Sequence, residues 1–162
     1  MKGRRAANSG DDGDLELGAA RSYTDNLDGK ITDNATGLMW EKLCDGVGCP
    51  TVNDKDTTYT WANAFAVKIA ALNSANFAGH NDWRLPNVNE LQTLADYGRF
   101  NPAIDPAFNN GLDSFTRSSV YWSSTTSAGS PGLAWGVIFA DGFVRAIGMS
   151  NFGFVRAVRG GS

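Results

Sequence analysis

Few side chains in this sequence could do chemistry, and their spacing narrows what that chemistry is. There are two cysteines, Cys44 and Cys49, and one histidine, His80. A metal site would need further ligands at similar spacing, and the chain has none. The cysteines enclose an Asp-Gly-Val-Gly stretch. A short loop-closing disulfide is the simplest reading and favours an oxidising compartment, with two free thiols as the alternative. Any hydrolytic triad would have to use His80 as its base, but in Gly79-His-Asn-Asp82 it reads as a loop residue bonded to its neighbours. Carboxylates are numerous, yet no spacing among them singles out an acid and a base. Asp25, Asp28, Asp33 and Asn34 gather hard oxygen ligands around one turn, which is calcium chemistry. The run lacks the terminal bidentate glutamate of an EF-hand, and a polar hairpin turn is the simpler assignment. The sequence is therefore expected to hold no catalytic centre and no obligatory cofactor, with calcium left open.

The elements that would carry these residues can be read from periodicity and turn chemistry. Residues 1 to 20 are polar and rich in Gly, Ala and Asp, and read as a flexible lead-in to a single domain over 21–162. Asp28-Gly29 is a hairpin turn signal between Arg21–Asp25 and Lys30–Asp33. Leu38–Lys42 reads as a short core strand after a turn at Gly37. Trp61, Phe65, Ile69 and Leu72 recur at steps of four, four and three, which predicts a helix with those residues on its inner face and Thr58 or Thr60 as cap. A second helix should start after Pro86, with Asn87 as N-cap and Glu90 completing a capping box. Leu91, Leu94 and Ala95 would line its inner face, and Gly98 would end it. Strands are then expected over Val120–Thr125, Ala134–Phe139 and Phe143–Ile147, the last two joined at Asp141-Gly142. A final central strand is expected over Phe154–Arg159. Two helices set apart from antiparallel strands give an α+β fold.

Composition limits the function classes. With 162 residues the chain fits one domain that buries a real core. Its 19 glycines, five tryptophans and nine phenylalanines suggest irregular loops pinned by large side chains. The net charge is −3, with 14 Lys plus Arg against 17 acids, so a phosphate-driven nucleic-acid function is not expected. No apolar run approaches the roughly 18 residues needed to span a bilayer, and no membrane insertion is expected. Met1–Arg5 is basic but no apolar stretch follows, so it does not read as a secretion signal.

Five motifs occur in a fixed order: Thr36-Gly-Leu-Met-Trp-Glu41, Asp82-Trp-Arg-Leu-Pro-Asn87 leading into Glu90-Leu91, Tyr121-Trp-Ser-Ser-Thr125, Ala134-Trp135 with Asp141-Gly142, and Val155-Arg-Ala-Val-Arg-Gly-Gly161. Together they resemble the C-terminal domain of Legionella collagen-like adhesins, from about Tyr23 to Gly161. That resemblance implies a C-type-lectin-like fold and a surface or extracellular binding domain, with an unidentified protein or glycan as ligand. The Trp-Arg-Leu-Pro-Asn stretch also looks like the Arg-Leu-Pro-Thr-Glu signature of formylglycine-generating enzymes. In that arrangement Trp83 and Leu85 face the core, and Arg84 pairs with a carboxylate or with carbonyl oxygens. Those enzymes hold copper on a cysteine pair in their C-terminal half, whereas residues 50–162 here contain no cysteine. The Glu-Pro-Asn and Gln-Pro-Asp sugar triplets of calcium-dependent lectins are absent. Asn81-Asp82-Trp83 has the composition of their Trp-Asn-Asp triplet but not its order.

Similar domains include the variable proteins of diversity-generating retroelements. In these, adenine mutagenesis scatters Asn codons into residues other than Lys, Glu, Gln, Met and Trp. From Ser118 to Ser162 this chain has no Lys, Glu or Gln. Within that tail Gly136, Ile138 and Ala140 alternate with Trp135, Val137 and Phe139, and Phe143, Arg145, Ala146, Gly148, Phe152 and Phe154 continue the series. A two-residue period places alternate side chains on opposite faces. The first set would form a variable ligand-binding face and the second a constant core; alternatively the strands are buried on both sides. The resemblance favours the binding face, with a constant adhesin or assembly module binding glycan or matrix as the competing function.

Overall fold

The computed structural model describes residues 21–160. The lead-in expected over residues 1–20 lies outside them. Tyr23–Asp25 (β1) and Lys30–Asp33 (β2) form the first hairpin, and Gly29, at φ 103°, turns the chain where a side chain would strain it. Met39–Glu41 (β3) follows the turn at Gly37. Val120–Thr126 (β4), Leu133–Ile138 (β5) and Phe143–Gly148 (β6) form a second antiparallel sheet. Val158–Arg159 (β7) returns to pair with β3, giving a first sheet of order β1-β2-β3-β7.

The expected final strand is shorter than the sequence pattern predicts. Phe154 makes a single parallel bridge to Tyr121 of β4, and only Val158–Arg159 is a strand. Between them the chain crosses from one sheet to the other, and the Arg156 side chain turns inward. Val158 also bridges to Arg84 on its free side, so β7 does lie inside its sheet.

The first helix is α-helical over Trp61–Asn63, opens into a π-helix over Ala64–Ile69 and closes as α-helix over Ala70–Ser74 (together α1). Thr60 caps its start by accepting from the Asn63 amide. The π segment changes the predicted face. With i→i+5 hydrogen bonds each turn holds more residues, so Ala64, Lys68, Ile69 and Leu72 point inward. Phe65, expected inside, is left 38% exposed with its ring edge-on to Trp61 at 4.8 Å. The second helix, Val88–Gln92 (α2), has the expected capping box: Asn87 Oδ1 accepts from the Glu90 amide and Glu90 Oε1 from the Asn87 amide. It ends at Thr93, before Gly98, because Ala95 is drawn into a bridge with Ile104 and the Arg21 guanidinium holds the carbonyls of Thr93 and Ala95. Leu91, Leu94 and Ala95 are buried as predicted.

Two apolar cores result, divided by the second sheet. Tyr121, Val137 and Phe139 share the first with Leu91, Leu94, Trp40 and Phe108. Trp122 and Ala134 share the second with Tyr59, Leu72, Trp83 and Leu85. Alternation along β4 and β5 thus sends neighbouring residues into different cores. Cys44 and Cys49 are joined in a disulfide. The acidic turn is occupied by lysines and amides: Lys42 Nζ reaches Asp25 at 2.9 Å and Asp113 at 3.0 Å, Lys30 pairs with Asp28, and Asp33 accepts from the Ala35 amide. Those carboxylates are engaged by lysines and backbone amides, and among the described residues no three or more His, Cys, Asp or Glu side chains are grouped so as to hold a metal ion. His80 packs its ring edge toward Trp83 in the loop after Ala78.

Candidate functional site

The second sheet sets where each predicted binding residue lies. Its register aligns Val120, Ile138 and Phe143 in one row across β4, β5 and β6, and Trp122, Gly136 and Arg145 in the next row on the same face. Toward Ala134 and Ile147 this face is sealed by the second core, with Trp61 and Met149 packed over it. Toward Ile138 and Phe143 it opens. Phe143 is 56% exposed and Arg145 is exposed, while Ile138 and Val120 are half-buried. Phe152, in the segment after β6, is 66% exposed.

The nine residues do not form one surface. Gly136 is buried, and a Cβ there would stand 2.8 Å from Val120 Cγ2 and 2.9 Å from the Tyr121 carbonyl, so its small size is a packing requirement. Ala146 pairs with Trp135 and Gly148 with Leu133, which puts both on the opposite face from Phe143. Ala140 lies in the loop joining β5 and β6, half-buried, with its carbonyl accepting from the Asn101 amide at 2.9 Å. Phe154 stacks at 5.6 Å on Tyr121 and packs against the first core. The expectation of one face for core and one for contact thus meets a sheet that is buried on both sides near β4 and exposed on one side near the β5–β6 turn. The cause is position in the sheet: Gly136 and Val137 are buried in the middle of the central strand β5, whereas Phe143 and Arg145 lie on the edge strand β6.

Sequence reasoning missed two other sites. One is an open hollow of about 500 Å³ beside Phe154, lined also by Asn101, Pro102, Asn109, Thr116, Arg117, Ser118 and Ser119. Asn109 Oδ1 accepts from the Thr116 amide at 3.1 Å, and Thr116 Oγ1 is taken by the Phe108 carbonyl and by Arg156. Arg117 is half exposed and stands 3.4 Å from Asp56. No sequence pattern brings residues 101, 109 and 117–119 together, because they meet only through the turn-rich segment after α2.

The other is an interior polar cluster. Glu41 is 0% and Lys68 1% exposed, and Lys68 Nζ donates to Glu41 Oε2 at 2.5 Å. Asn53 Nδ2 donates to the same oxygen at 2.7 Å, and Glu41 Oε1 accepts from the Ala157 amide. Arg156, also buried, donates to the Glu41 and Phe115 carbonyls and to Thr116 Oγ1. Burial pushes the Lys68 ammonium toward its neutral form, against the opposing pull of Glu41. Burial and the Glu41 charge push the Tyr59 phenol up to about 12. One signal was visible in the sequence: Lys68 interrupts the apolar stripe of α1 between Phe65 and Leu72. At the surface, Arg84 holds Glu90 through two bonds of 2.7 and 2.8 Å and also donates to the Gly160 carbonyl, so it serves both kinds of partner expected of it.

An α+β domain with two helices beside two antiparallel sheets, and the Trp83-Arg84-Leu85-Pro86 segment bridging sheet to helix, is a C-type-lectin-like fold. The family described as the Lcl C-terminal domain matches residues 29–159, and the chain belongs to that family, the C-terminal domains of Legionella collagen-like proteins. No curated protein matches the chain. Membership suggests a ligand-binding, adhesin-like domain at a surface or outside the cell. Among the described residues no helix is long and apolar enough to cross a membrane.

Proposed function

We propose that this domain is a non-catalytic display module that binds a macromolecular ligand through the open end of its second sheet. The contact set would be Phe143 and Arg145 with Ile138, extended by Phe152. One observation carries the reading: two phenylalanines more than half exposed stand on or beside strands whose opposite side chains fill a core. Burying the exposed part of each ring under a ligand would contribute about 1–2 kcal/mol, and exchanging either leaves the core intact. Positions of that kind suit a face rewritten by a retroelement, and the absence of Lys, Glu and Gln after Arg117 supports the same reading. The disulfide supports placement in an oxidising, extracellular setting.

The test is to sequence the DNA downstream of the gene for a near-copy of its 3′ end beside a reverse-transcriptase gene. The expected result is a copy whose adenines mark the codons of Phe143, Arg145 and Phe152 and spare those of Trp122, Gly136 and Val137. A copy marking the buried codons would sink the assigned face, and the absence of any copy would sink diversification.

A second reading, a constant adhesin binding glycan, is supported by the hollow beside Phe154. Its aromatic ring, hydroxyls, amides and one guanidinium suit a polyhydroxylated ligand, and its volume is within the range of small-molecule sites. Glycan binding that survives Phe143→Ser and Phe152→Ser but fails in Arg117→Ala would favour this reading.

A further inference from the structure

We propose that Lys68 and Asn53 become joined by an intramolecular isopeptide bond, formed by the folded domain on itself with Glu41 as proton carrier. The three side chains converge from separate elements: Glu41 at the end of β3, Asn53 from the 3₁₀ turn Thr51–Asn53, and Lys68 from the π segment of α1. One carboxylate oxygen, Glu41 Oε2, contacts both the amine nitrogen of Lys68 and the amide nitrogen of Asn53, at 2.5 and 2.7 Å. Asn53 is fixed on several sides. Its Nδ2 also donates to the Lys42 carbonyl, its backbone amide donates to Pro50, and its carbonyl accepts from the Cys44 amide. Lys68 Nζ also donates to the carbonyl of Val52, the residue before Asn53, which ties the amine to the same turn.

An ordinary buried ion pair does not account well for the charges. Arg156 remains cationic in proteins, and it is buried in the same cluster, where it already stands beside the backbone carbonyl of Glu41. A protonated Lys68 would place two interior cations against one carboxylate, leaving a charge that burial penalises by several kcal/mol. The neutral amine removes that excess and is also the nucleophilic form. Its lone pair attacks Asn53 Cγ, the new Nζ–Cγ bond forms and the Cγ–Nδ2 bond breaks. Glu41 Oε2 takes a proton from the attacking nitrogen and delivers one to the departing Nδ2, which leaves as ammonia. No oxidant or other reactant is consumed. Fixing the two groups in a dry interior makes an otherwise slow amide exchange effectively unimolecular, where effective molarities reach about 10⁵–10⁸ M. The product would tie the loop behind the Cys44–Cys49 disulfide to α1.

The experiment is the intact mass of the purified full chain, reduced and denatured, followed by peptide mapping. The expected mass is about 17 Da below that of the sequence, the loss of one ammonia. Digestion should yield one branched peptide containing both Asn53 and Lys68, and Asn53→Ala should restore the full mass. A wild-type chain at its full sequence mass would overturn the proposal. So would a deficit with no branched peptide, which is the mark of a succinimide at an Asn-Gly step such as Asn110-Gly111. Glu41→Gln should fold without the deficit; a deficit that persists overturns the role of Glu41. The wild-type measurement decides the bond itself even if that variant does not fold.

Discussion

Replacing Gly136 with alanine should destabilise the domain by about 2 kcal/mol, although the change adds one methyl group. The added Cβ would meet Val120 Cγ2 at 2.8 Å and the Tyr121 carbonyl oxygen at 2.9 Å, both well inside ordinary contact. The first clash is soft, because Val120 is half-buried and can turn its side chain. The second is not. Tyr121 is fully buried, its strand is paired with β5 on one side and bridged by Phe154 on the other, and its carbonyl cannot withdraw without parting the sheet. For a domain of this size about 2 kcal/mol lowers the midpoint by roughly 6–8 °C. Thermal and urea denaturation followed by circular dichroism measure it, with Phe143→Ser as the control expected within about 0.5 kcal/mol of wild type. A Gly136→Ala protein as stable as wild type would refute the packing account and return position 136 to the set that can vary.

Other perturbations follow from the same contacts. Arg156→Met should cost about 3–5 kcal/mol in urea denaturation, because the Glu41 and Phe115 carbonyls and Thr116 lose their buried charged donor. Arg84 holds the Glu90 carboxyl below the usual carboxylate range, with the Asn87 amide adding to the effect. A depressed folded pKa stabilises above the unfolded value, near 4.3, and that stability is lost as pH falls through the folded one. Glu90→Gln should therefore cost about 1 kcal/mol at pH 7, allowing for the partial exposure of Arg84, and little once the pH is below the folded pKa. Parallel denaturation of both proteins from pH 7 to pH 2 would show the difference closing. Reducing the Cys44–Cys49 bond, which spans five positions, should lower stability by about 2 kcal/mol on the chain-entropy account. Urea midpoints with and without dithiothreitol measure that loss.

Much of this domain was legible in its sequence, and the legible parts are local. The Asn87–Glu90 capping box, the turns at Gly29 and Gly142, the short Cys44–Cys49 loop and the strand alternation around Tyr121 and Trp122 depend on side chains within a few positions of one another. The ordered motifs from Thr36 to Gly161 carried the family and the fold. Tertiary structure decided the rest. Alternation along β5 showed that neighbouring residues face opposite ways, but both ways can lead to a core. Only the close approach of Val120, Tyr121 and Ile147 determines that Gly136 is enclosed while Phe143 and Arg145, on the edge strand, reach solvent. The π turn that rotates Phe65 out has no local propensity signal; it fits a helix, with Lys68 on its inner face, around a carboxylate 27 positions earlier in the chain. The meeting of Glu41, Asn53 and Lys68, like the hollow beside Phe154, arises from long-range closure of the chain. Periodicity, which records neighbours along one element, does not encode it.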